Sequence, residues 1–157
     1  YPYMSYSGQN YPCNQTGRPS VSTIASFVEV PSNDEQALVD AVAINPVAIT
    51  VDASAWGMYE SGIFDSCNTS SPTLDHGVQL VGYDSDDGTD FWIVRNSWSP
   101  DWGEGGFINI FKGANSTDYC GWDVNPKDGT GCDDGPDKVY VCGMCGILYD
   151  NVYPVVK

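Results

Sequence analysis

The sequence predicts an α+β fold, with a short helix ahead of a strand-rich second half. Three observations carry this. Apolar residues recur at helical spacing over 37–44. Three later runs, 76–83 (HGVQLVGY), 91–96 (FWIVRN) and 106–111 (GFINIF), alternate or run apolar between turn signals. Those runs follow one another closely enough to pair as an antiparallel meander. A length of 157 residues suits one domain, or one large piece of a bigger one.

Each element has its own signal. Residues 1–24 mix Tyr, Pro, Gly, Ser and Asn without period and read as an extended, anchored segment. Ser32 and Glu35 form a capping-box pattern. Ala37, Leu38, Ala41, Val42 and Ile44 then supply the apolar face of a helix that stops at Asn45-Pro46. Val47-Ala48-Ile49-Thr50-Val51 is a β-prone run expected to be buried on both faces. An irregular or short helical piece is expected around Trp56-Gly57-Met58-Tyr59, and the meander turns through Asp84-Ser85-Asp86-Asp87-Gly88. Residues 113–141 are rich in Gly, Asp and Asn and read as a long surface loop pinned by disulfides. A last short strand is expected near 147–149. The composition shifts after residue 30, the one candidate boundary. The division expected is 1–24 as an extended segment and 25–157 as the domain, with an insertion at about 114–141.

Charge and cysteine content narrow the class. Six basic against twenty-one acidic residues give a net charge of −15. That repels phosphate backbones and anionic lipid, so neither nucleic acid nor a membrane surface is an expected partner. No apolar run approaches the roughly 18 residues of a membrane span. The opening Tyr1, without a signal-like stretch, leads to the expectation of a processed or excised product. Six cysteines, with sequons at Asn14, Asn68 and Asn115, point to an oxidising compartment. A secreted protein, or one of a lysosomal or vacuolar lumen, is expected.

His76 is the single histidine, so any imidazole chemistry must use it. Asn96 ends the next predicted strand. Pairing through the intervening turn brings the two to the same end of the sheet. An Asn carboxamide oxygen accepting the imidazole N–H fixes tautomer and ring angle, the orienting role in a nucleophile–base–orienter triad. Trp98 and Trp102 lie nearby in sequence and are expected to shield that bond from water.

The strings around these residues are specific. Leu74-Asp75-His76-Gly77-Val78, Val81-Gly82-Tyr83, the run 91–98 (FWIVRNSW) and the run 101–107 (DWGEGGF) closely resemble the His and Asn blocks of papain-like cysteine peptidases, nearest the cathepsin L type. Tyr1-Pro2-Tyr3 with Cys13 resembles the family's mid-chain segment, and Cys145-Gly146-Ile147 with 153–156 (YPVV) its C-terminal strand. The resemblance implies the right lobe of that fold: a twisted antiparallel β-barrel or sheet with peripheral helices. It implies His76 and Asn96 as catalytic residues and Trp98 as the cover of their hydrogen bond. The family's nucleophile motif, a Gln followed by Cys-Gly-Ser-Cys-Trp, is absent from this sequence. The Cys and the oxyanion-binding Gln are therefore expected on a partner N-terminal chain, and this chain alone is expected to be inert. The alternative is a catalytically inactive papain-fold binding or structural subunit.

The resemblance also implies a Cys67–Cys145 disulfide and a bridge from Cys13 to the partner chain. From the residues alone, the six cysteines could pair internally in many ways, and Cys120, Cys132 and Cys142 stay unassigned. Cys142-Gly143-Met144-Cys145 lacks a second such pair, so no metal is expected, nor any cofactor. In the substrate cleft, Asp150 is similar in position to the floor of the main selectivity pocket and Ala53 to a wall. Leu74 directly precedes the Asp75-His76 pair. Asp75 is read as a solvent-facing carboxylate. A carboxylate floor implies tolerance of basic or aromatic side chains in peptide substrates. Ser99-Pro100 departs from the usual Gly after the Trp.

Overall fold

A computed structural model describes residues 2–14, 16–115, 117–129 and 134–157. Among the described residues, nine strands form two sheets. In order they are β1 (Ile24–Glu29), β2 (Val47–Val51), β3 (Ile63–Phe64), β4 (His76–Asp86), β5 (Thr89–Arg95), β6 (Phe107–Phe111), β7 (Gly121–Asp123), β8 (Val139–Val141) and β9 (Asn151–Val156). The main sheet has seven strands ordered β1-β9-β2-β4-β5-β6-β3, while β7 and β8 make a separate hairpin. Its end strands β1 and β3 do not pair, so the sheet is open rather than a closed barrel. The class is α+β, as expected. One pairing departs from the all-antiparallel expectation, since β3 runs parallel to β6.

The meander β4-β5-β6 forms because its turn chemistry suits it. Asp87 (φ 48°) and Gly88 (φ 80°) form the two-residue corner between the Asp86–Thr89 pair. Two consecutive positive φ values match strand twist, and Asp-Gly adopts them at low cost. Within the sheet, Leu80, Trp92, Val94, Ile108 and Ile110 turn one face inward. Burying each such side chain contributes about 1.5–3 kcal/mol.

The single α-helix among the described residues, α1 (Glu35–Val42), covers this face with Leu38, Ala41 and Val42. Two expectations about it are corrected. The cap is Asp34, whose carboxylate accepts the Ala37 N–H at 3.0 Å, rather than Ser32. Ile44 lies past the helix end and is 78% exposed. Glu35 forms an ion pair with Lys112, just after β6, and so ties the first turn to the sheet.

Other expectations also change. β2 buries only Val47, Ile49 and Val51, leaving Ala48 exposed, because α1 and the core occupy one side alone. The final strand is Asn151–Val156, not 147–149; before it, Met144–Gly146 form a 3-10 turn and Ile147 and Leu148 go into the core. β1 begins at the expected domain limit and pairs with β9, yet all six residues are exposed, so burial gave it no alternation. The expected loop over 113–141 contains the β7–β8 hairpin. Trp56–Met58 form a 3-10 turn, matching the short helical piece. Among the described residues no helix is long and apolar enough to cross a membrane.

Disulfides join Cys67 to Cys145 and Cys120 to Cys142. The first is the implied bridge, and the second resolves two of the unassigned cysteines. Cys132 lies outside the described residues, and Cys13 is exposed with no disulfide.

Candidate active site

His76 opens β4, where its backbone is paired with Val51 of β2. Asn96 is the residue after β5, and its N–H donates to the Gly106 carbonyl at 2.9 Å. Strand pairing therefore places both at one sheet end. Their side chains meet there, with His76 Nε2 2.8 Å from Asn96 Oδ1.

The direction of that bond follows from a neighbour. Asn96 Oδ1 also accepts the Ser97 N–H at 2.8 Å. A backbone N–H can only donate, so the carboxamide must present its oxygen, not its NH2, on this side. His76 Nε2 must then carry the hydrogen. Nδ1 is left as the basic nitrogen, and it has no hydrogen-bond partner among the described residues. This is the tautomer a general base needs.

Aromatic rings pack on the imidazole. Trp98 stacks on the imidazole with centroids 5.1 Å apart, while Trp56 meets it edge-on at 5.9 Å. Trp98 keeps 40% of its surface exposed, and Trp56 none. Trp102 stacks on Trp56 at 6.1 Å and meets Trp98 at 5.2 Å, and so supports the two rings that pack on His76. Sequence reasoning treated Trp56 as an irregular piece only. A lone Trp after Ala53-Ser54-Ala55 was the available signal.

The loop carrying these tryptophans is anchored through Glu104. Its carboxylate accepts from Gly62 N at 2.7 Å and from Asn109 Nδ2 at 3.1 Å. Tyr59, packed against Trp102, donates its hydroxyl to the Gly62 carbonyl at 2.7 Å. Burial pushes the Tyr59 phenol above its usual range; the Asn109 N–H opposes this and the nearby Glu104 charge adds to it.

Two open hollows of about 590 and 520 Å³ meet at Gln79, Arg95, Asn96 and Ser97. Thr50, Gly77 and Asp150 also line the larger. Asp150 is exposed there, and its Oδ2 accepts the Thr50 hydroxyl at 2.8 Å. Sequence reasoning missed Thr50, whose pairing spans the chain. Asp150 is also the largest of the charges that, after burial, push the Tyr149 phenol up.

The remaining expected cleft residues lie elsewhere. Leu74 has no exposed surface and Ala53 is buried, so neither side chain lines the larger hollow. Asp75 is exposed, and its Oδ1 accepts the Ala53 N–H at 3.1 Å. Just behind, buried Asp52 accepts the Thr73 N–H at 3.1 Å. Asn14, Asn68 and Asn115 are all exposed.

Comparison with known proteins shows the family. Residues 1–128 match the family described as "Papain family cysteine protease". Cysteine proteinase RD21A of Arabidopsis thaliana is 43% identical over 132 residues, which is 81% of this chain and 27% of that protein. Zingipain-2 of Zingiber officinale is 43% identical over 160 residues, covering 100% of this chain and 59% of that protein. The bromelain protease from Ananas comosus, solved in complex with the E64 inhibitor, superposes with a TM-score of 0.74 at 30% identity. That match covers 100% of this chain and 60% of the solved one. The chain thus spans between about a quarter and three fifths of the length of these relatives.

Proposed function

The chain belongs to the papain family of cysteine proteases, and on that footing we propose that it is the C-terminal, right-lobe chain of a cysteine endopeptidase. It supplies His76 and Asn96. A partner N-terminal chain supplies the nucleophilic Cys and the oxyanion-binding Gln, with Cys13 free to bridge to it. The observation that carries this reading is the forced orientation of the Asn96 carboxamide, which leaves His76 Nδ1 basic and unpartnered.

The chemistry follows from that nitrogen. Nδ1 takes the thiol proton, and the resulting thiolate–imidazolium pair is held by its own attraction. The thiolate attacks a peptide carbonyl and forms a tetrahedral oxyanion, which collapses to a thioester as the imidazolium protonates the leaving amine. Water, deprotonated by the same imidazole, releases the acid. Throughout, Asn96 Oδ1 accepts from Nε2–H and keeps the ring on line.

Specificity belongs to the same proposal. The Asp150 carboxylate uses Oδ2 for Thr50, leaving Oδ1 to meet a guanidinium in the hollow beside Gly77. The three exposed sequons and the disulfides favour a secreted, lysosomal or vacuolar glycoprotein.

The test is the natural assembly. A thiol-directed epoxysuccinyl probe is expected to label the partner chain and leave this one unmodified, and His76→Ala is expected to abolish peptide hydrolysis. An assembly that neither hydrolyses peptides nor takes the probe would instead be an inactive papain-fold subunit.

A further inference from the structure

The segment that leads into His76 is held by the β7–β8 hairpin, and it is held at every group of one residue. The Leu74 side chain is enclosed by Val139 and Val141 of β8, with Tyr149 packed against them. Its N–H donates to Asp123 Oδ2, on β7, at 3.1 Å. Its carbonyl faces Gly129 so closely that a Cβ there would come within 1.7 Å of the oxygen. Only glycine permits that approach. Gly121, at the start of β7, also lies tight against the loop before His76, where a Cβ would fall 2.2 Å from the Thr69 carbonyl.

Asp123 is the polar centre of this grip. It has no exposed surface, and its other oxygen, Oδ1, accepts the Asn125 N–H at 2.9 Å. Among the described residues no cation pairs with it. A buried carboxylate is costly unless its oxygens are hydrogen-bonded, so this one depends on the Leu74 and Asn125 main chain, as they depend on it. Beyond Leu74 the chain has little freedom. Asp75 N donates to the Val51 carbonyl at 3.1 Å, and His76 is already in register with Val51.

We propose that the β7–β8 hairpin braces the imidazole, and that Asp123 is a positioning residue which fixes His76 for thiol-dependent peptide hydrolysis by clamping the Leu74 main chain. This role presupposes the peptidase reading above. Its physical basis is the steep dependence of such chemistry on placement: displacing a reacting group by about 1 Å can cost on the order of a hundredfold in rate.

The experiment uses the complete two-part enzyme, with a peptide substrate and the epoxysuccinyl probe. Asp123→Ala is expected to lower kcat tenfold or more while KM stays within twofold. Asp123→Asn, which keeps one acceptor oxygen, is expected to recover part of that loss. A variant that melts earlier but keeps the wild-type kcat overturns the role. If neither variant folds, amide exchange in the unmodified enzyme decides. Covalent probe on the active site is expected to slow exchange across 121–123 and 139–141 at least threefold, and unchanged exchange there overturns the role. An unmodified enzyme without hydrolysis or labelling overturns the peptidase reading and this role with it. Full wild-type activity with indifferent Asp123 variants overturns this role alone.

Discussion

Trp98 lies nearly parallel to His76, with planes inclined by 29° and centroids 5.1 Å apart. In the proposed mechanism the negative indole face would attract the positively charged ring of the thiolate–imidazolium pair. Trp98→Ala is expected to lower kcat/KM roughly 2- to 30-fold, the span set by about 0.5–2 kcal/mol of cation–π attraction. Steady-state kinetics on the complete enzyme check this.

Asn96→Ala removes the acceptor for Nε2–H and frees the ring to turn. Hydrogen bonds to charged groups contribute about 1.5–3 kcal/mol, so kcat is expected to fall between about tenfold and 150-fold. Asn96→Asp restores an acceptor and is expected to retain more activity than Asn96→Ala. Equal losses in the two variants would contradict the orienting role.

Asp150 gives a specificity prediction. Peptides with Arg directed into the hollow it lines are expected to lose about tenfold or more in kcat/KM on Asp150→Ala, the worth of one charge-assisted bond. Peptides with Leu there are expected to change little. A library profile with no gain from Arg over Leu, unmoved by the substitution, would refute it.

Tyr59 predicts alkaline behaviour. Burial raises its folded pKa above the unfolded value near 10, so the folded state holds the phenolic proton more tightly. The associated stability is present below the unfolded pKa and is lost as pH rises through the folded one. Thermal melts above about pH 10 are expected to show that decline, and Tyr59→Phe is expected to flatten it.

The helix cap separates two neighbouring residues. Asp34→Ala is expected to cost about 1 kcal/mol by chemical denaturation, whereas Ser32→Ala should be close to neutral.

What could be read in advance was what local chemistry decides. The Asp- and Gly-rich run 84–88 announced a tight turn and hence the pairing of β4 with β5. It did not announce that β4 would continue to Asp86, nor the one-residue register shift between Leu80 and Gly82 that lies between the corner and the His76–Asn96 contact. The helix cap was ambiguous because Ser32, Asn33 and Asp34 are all good caps, and only the observed backbone chooses among them. β7 and β8 have three residues each, too few to show a period. The resemblance of 153–156 to a C-terminal strand reached most of β9, where Pro154 is tolerated opposite Phe27 of the edge strand β1. Thr50–Asp150 and Leu74–Asp123 join residues 100 and 49 positions apart, and no local pattern announces such partners.

The Cys67–Cys145 bridge closes a ring of polypeptide that contains His76, Asn96 and both covering tryptophans, and Cys120–Cys142 closes a smaller ring within it. A nick beside exposed Lys127 would open both rings and yet release nothing, because each cut end stays tethered through a sulfur–sulfur link. A backbone severed there would thus leave the histidine covalently attached to both pieces.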